Sequence, residues 1–168
     1  MISPEYVRVM SRYNRWQNKS LYGAADTLDT ADRTRDRGAF FGSIQRTLGH
    51  LLWGDTIWMS RFDGWEAPAG SIAESPLMVL DWAALKTARA QADARIVDWG
   101  ERVLAQDLAG DLTWYSGAMG RELTKPRALL VMQLFNHQTH HRGQVHAMLT
   151  AAGARPDDTD LPFMPEDA

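Results

Sequence analysis

Along most of this chain apolar residues recur at helical spacing, and the breaks between those runs mark its elements. Ser3-Pro4 has the form of an N-cap followed by proline at the first helical position. Tyr6, Val9, Met10, Tyr13, Trp16, Gln17 and Leu21 then trace one stripe, which predicts a first helix ending near Leu28. The polar residues 29–38 read as a loop. A second helix is predicted from about Phe40 to Phe62, with Ile44, Leu48, Leu51, Asp55, Trp58 and Phe62 on one broad, mostly apolar face. Residues 63–75 are rich in glycine, alanine and proline and read as a loop. Ser75-Pro76 repeats the cap signal and opens an alanine-rich third helix, predicted over residues 76–104.

At DLTWYSGAMGRELT (residues 111–124) the pattern changes. Thr113, Trp114 and Tyr115 favour strand, and Gly117 and Gly120 offer a turn, so a short hairpin is predicted. Lys125-Pro126 opens a fourth helix that runs to about Ala152 and stops at Gly153. The segment from about 153 onward carries three prolines after Gly153 and reads as an irregular tail. Four long helical runs in one domain spanning residues 1–168 predict an all-α four-helix bundle, with a short β-hairpin before the last helix.

Four of the five histidines fall in FNHQTHHRGQVH, residues 135–146. Projecting the fourth helix at ~100° per residue separates them. With His137 at zero, Leu130 and Met148 lie near ~20°, His141 near ~40°, Leu134 near ~60° and Val145 near ~80°. His137 and His141 therefore share the apolar face. His140 falls on its flank and His146 on the opposite side. Buried imidazoles one turn apart need partners, because unpaired polar nitrogens are costly in a core. They are either hydrogen-bonded core histidines or two ligands of one metal ion. His50, on the second helix beside Trp53 and Ile57, is the remaining candidate for a third nitrogen, though it projects off the main apolar face. Asp55 is a carboxylate candidate, or a helix-interior acid paired with an arginine. Met132, Phe135 and Leu149 project to the back of the fourth helix, toward loops, the tail or a second copy.

Composition narrows the chemistry. There is no cysteine, which excludes disulfides, a thiolate metal site and a cysteine nucleophile. The net charge of −3, with acids interleaving Arg33, Arg35 and Arg37, argues against a nucleic-acid surface. No apolar run approaches the ~20 residues of a membrane span, and the first ten residues lack the apolar stretch of a secretory signal. The expected location is the cytoplasm.

NHQTHHRGQ (residues 136–144) resembles the last-helix signature of the DinB family, the DinB/YfiT-like metalloenzyme superfamily. YNRWQN (residues 13–18), LGHLLWGDTIWMSRF (residues 48–62) and DLPFM in the tail resemble that family's other motifs in order and spacing. The resemblance implies a four-helix bundle in which three histidines hold a divalent metal. Carried onto this chain, the ligands are His50, His137 and His141, with His140 inside the motif but not a ligand. Arg142 projects away from the histidine face, which suits an ion pair. Gln144, Asp55, Trp16 and Trp53 are candidates for the surroundings of the metal or the pocket wall.

Three neutral imidazoles leave a divalent ion an open position, able to acidify water or to take up an external thiol. Zinc or nickel suits such ligands best, without excluding other first-row ions. The resemblance implies thiol S-transferases that use a low-molecular-weight thiol such as bacillithiol, mycothiol or glutathione, or mycothiol-dependent maleylpyruvate isomerases. The expectation is a metal-dependent thiol S-transferase acting on small electrophiles, its catalytic acid and base unknown. A metal-dependent hydrolase and a non-catalytic metal-binding protein are the alternatives. The resemblance also implies a homodimer.

Overall fold

The structure is a computed structural model that describes residues 1–79 and 81–168. Four long helices build it: α1, Pro4–Asp26; α3, Ile44–Phe62; α4, Trp82–Arg102; and α5, Arg127–Ala151. A short helix α2, Thr30–Thr34, lies between the first two. Strands β1, Asp111–Ser116, and β2, Arg121–Pro126, precede α5.

The helix starts follow local capping chemistry. Ser3 accepts from the Tyr6 N–H ahead of Pro4, as the Ser-Pro signal predicts. The second long helix begins later than expected, at Ile44, where the Ser43 side chain caps the Arg46 N–H. The polar residues 29–38, expected to form only loop, contain α2, because Asp29 caps the Asp32 N–H. The third long helix does not start at Pro76. Ser75–Leu77 forms a single 3₁₀ turn, and α4 begins at Trp82 under an Asp81 cap. The Ser-Pro pair stiffens a turn there without nucleating a helix.

Each of α1 and α3 packs against both α4 and α5, which closes the four long helices into a bundle. Leu21, Ile44, Leu48, Leu85, Ile96 and Leu134 fill its centre. β1 and β2 pair antiparallel, with Trp114 opposite Leu123, around a turn at residues 117–120. The Trp114 ring lies 5.7 Å from Trp58, which docks the hairpin on α3. Among the described residues, no helix is long and apolar enough to cross a membrane.

Polar side chains also cross the core. Arg89 on α4 pairs with Asp55 on α3 at 2.7 Å and with Asp93 at 2.9 Å, and Asn18 on α1 donates to Asp93. The last helix buries more of its circumference than the projection implied. Phe135 and Leu149 are fully buried, Phe135 meeting Tyr6 of α1 edge-on, so neither is free to face a second copy. Arg142, expected to turn outward to an ion pair, is buried and donates to Asn14 and Gln138. The reason is that α5 packs against α1 as well as α3, so its back is also an interior face. The tail is irregular but tied down: Tyr13 donates to the Thr159 carbonyl, Gln17 to that of Asp158, and the Asp157 N–H to Ser20.

Candidate metal centre

His137 and His141 stand one turn apart on α5 and point at α3, where His50 faces them. The ring centroids are 5.1 Å apart for His50 and His137, 4.8 Å for His50 and His141, and 4.6 Å for His137 and His141. One nitrogen from each ring lies within 4.8 Å of the other two, a group able to hold a metal ion. His50 and His141 are buried and His137 half-buried. His140 is exposed on the flank. The helical projection thus separated the α5 histidines correctly, and it placed His50 too far from them. The apolar face of α3 is broad enough to reach both α4 and α5, and His50 lies on the α5 side.

The hydrogen bonds set which nitrogens are free. Ser75 Oγ donates to the Ile72 carbonyl at 2.6 Å, so its oxygen accepts from His50 Nδ1–H at 2.7 Å. His141 Nδ1–H donates to Gln144 Oε1 at 2.8 Å, while Gln144 Nε2 donates to His140 Nε2 at 3.3 Å. Both bonds place the proton on Nδ1 and leave Nε2 with a bare lone pair. His137 Nε2 sits 3.1 Å from His50 Nε2; with the His50 proton on Nδ1, His137 Nε2–H donates to the His50 lone pair, and the His137 Nδ1 is buried without a hydrogen-bond partner. A cation that displaces the shared proton finds three ring nitrogens within its reach, and three imidazoles suit a first-row divalent ion. The residues present therefore fit the metal that the sequence implies.

Electrostatics agree with geometry. Burial, reinforced by His137 and His141, lowers the His50 pKa to about 3. Burial, then His141 and His140, lowers His137 to about 4. Burial also lowers His141, against the opposing bond to Gln144. All three rings are neutral near pH 7, the form that ligates a metal.

The surroundings are aromatic. The His50 ring is stacked with Phe41 at 3.9 Å and lies nearly parallel to Trp53 at 6.4 Å. Phe41 also reaches His141, at 5.4 Å. Trp53 is anchored by its indole N–H on the Ala69 carbonyl. Gln144 and Trp53 thus lie beside the histidines. Asp55 is directed instead to Arg89, and Trp16 packs edge-on with Tyr13.

Sequence reasoning missed three neighbours. Ser75 was assigned a capping role, yet it orients His50 across 25 positions of sequence. Phe41 fell at the edge of a predicted helix. Gly54, one helical turn after His50, is where the His137 ring approaches the α3 backbone. None carries a local signal, since each acts only through a tertiary contact.

The model of the DinB family matches residues 1–168, and the chain belongs to that family. Among solved structures it is similar to a DinB-like protein from Bacillus cereus ATCC 10987, at 18% identity and a TM-score of 0.61. That match covers 85% of this chain and 90% of the other, and at such identity the likeness is one of fold. No curated protein matches the chain.

Proposed function

We propose that this DinB-family chain holds a divalent ion, zinc or nickel, on His50, His137 and His141, and acts as a metal-dependent thiol S-transferase on small electrophiles. The observation that carries the reading is the donor set. Three neutral imidazoles converge, two of them with Nε2 kept unprotonated by fixed Nδ1–H bonds, and no carboxylate among the described residues joins the cluster. Such a set leaves a coordination position for an outside molecule. When bound, the ion supplies Lewis acidity that favours the thiolate form of a thiol placed there. The chain has no cysteine, so that thiol comes from a small-molecule co-substrate.

The chain's own residues prepare the site. Ser75 and Gln144 hold the His50 and His141 rings in one tautomer, and burial keeps all three imidazoles unprotonated. The carboxylate best placed in sequence to move protons, Asp55, is engaged by Arg89 in the core. That favours a thiol, whose pKa is about 8.5 even without an ion and which can release its proton to solvent, over water, whose pKa is about 15.7 and which needs more help. The reading places the protein in the cytoplasm, where low-molecular-weight thiols are kept reduced. It includes a homodimer, for which Val9 and Leu129 remain exposed on α1 and α5.

The test offers metal-loaded protein glutathione, bacillithiol or mycothiol together with a small electrophile. The reading expects thiol and electrophile to disappear together, with a thioether as product. Electrophile lost without thiol would identify a hydrolase. Loss of neither, across all three thiols, would leave a metal-binding protein without turnover.

A further inference from the structure

Residues 37–43, between α2 and α3, form a turn held at both ends. The Gly42 N–H donates to the Ala39 carbonyl at 2.8 Å, and the Arg37 N–H to the Gly42 carbonyl at 2.8 Å. Gly38 and Gly42 have φ of 75° and 81°, the left-handed region that other residues seldom adopt. Asp36 accepts from the Gly38 N–H at 2.9 Å, and Ser43 at the other end caps α3. At its tip the turn carries Phe40 and Phe41, packed edge-to-face with centroids 4.8 Å apart.

The two rings face different surroundings. Phe41 is half-buried and lies flat on His50. Phe40 is 81% exposed. A lone exposed apolar side chain is ordinary on a protein surface. This one differs in two respects. Its backbone is locked, so the exposure is imposed and not a consequence of fraying. A single ring, Phe41, separates it from a ligand of the candidate metal centre, and that ring touches two of the three histidines.

Resting on the trihistidine reading above, we propose that Phe40 and Phe41 form an aromatic platform that receives the planar, aromatic part of the molecule bound at the centre. The occupant class is then an aromatic or conjugated small molecule whose polar end reaches the metal. Edge-to-face and offset contacts with two phenyl rings favour such a group over an aliphatic one of similar polarity. Phe41 also holds the His50 plane, so Phe40 is the residue whose change reports ligand preference alone.

The test uses the zinc-loaded full chain and two probes with the same metal-binding group, benzohydroxamate and acetohydroxamate. Calorimetry gives the ratio of their dissociation constants in wild type, Phe40→Ala and Phe40→Trp. The proposal expects Phe40→Ala to reduce the preference for benzohydroxamate by about five- to tenfold. Acetohydroxamate affinity should stay unchanged, and Phe40→Trp should retain the preference. An unchanged ratio with zinc bound overturns the platform and leaves the metal centre standing. An unchanged ratio together with a dimer that dissociates in Phe40→Ala, seen by sedimentation, overturns it too and assigns Phe40 to a subunit contact. Absence of bound zinc in wild type, measured before any hydroxamate is added, removes the metal reading and this proposal with it.

Discussion

Gly54 lies so close to the His137 ring that a Cβ at that position would be 2.9 Å from Cε1 and 3.4 Å from Nδ1. The ring that the sequence places on α5 therefore fits only because α3 offers bare backbone one turn after His50. Gly54→Ala should favour helix yet displace His137. We expect metal affinity to fall about 10–100-fold, the usual range for residues that orient ligands. Gly143, whose Cβ position on α5 meets nothing within 4 Å, supplies the control. A zinc-chelator competition in which Gly54→Ala matches Gly143→Ala would contradict this account of the site.

Arg89 balances two buried carboxylates, Asp55 and Asp93. Removing it leaves both without their cation in the core, so Arg89→Met should destabilise the chain by about 3–5 kcal/mol. Arg102→Met should cost far less, because that side chain is 55% exposed and its pairs with Asp63 and Asp98 are screened by water. Urea unfolding of the two variants measures the difference. Equal midpoints would mean that the buried cluster contributes no more than a surface pair.

The metal-free protein should lose stability on acidification. His50 and His137 have folded pKa values lowered to about 3 and about 4, against about 6.5 in the unfolded chain. Below about 6.5 the unfolded chain takes up protons that the folded one refuses, so stability falls as pH drops toward 4. Asp93 acts in the opposite sense. Burial raises it to about 6 against the pull of Arg89, so its contribution is present at low pH and lost as pH rises through 6. His50→Phe isolates the histidine contribution. Between pH 6.5 and 4 the thermal midpoint of metal-free wild type should fall more steeply than that of the variant, and parallel curves would contradict the assignment.

How much of this was legible in the sequence depends on whether a residue acts within its own helix or across the bundle. The four long helices, the hairpin and the inward pair His137 and His141 follow from periodicity and turn residues, which are local. His50 was reached chiefly through the family resemblance, because a one-face projection undervalues a residue on the flank of a helix that packs against two others. The same simplification turned Arg142 outward, although the contact of α5 with α1 buries it. Ser75 shows a different limit. Its Ser-Pro signal is identical for a helix start and a 3₁₀ turn, and its actual partner, His50, lies on another element. Phe41 and Gly54 owe their roles to spacing between elements, which no local pattern encodes.

The central claim is that His50, His137 and His141 together hold one metal ion. Elemental analysis of protein purified without an affinity tag, after exposure to zinc, nickel and manganese in turn, tests it most directly. Wild type and His140→Ala should each carry about one ion per chain, and His50→Ala, His137→Ala and His141→Ala should each lose it. Wild type that retains none of these metals, or histidine variants that retain as much as wild type, would contradict the claim and return the three rings to the packing of the core.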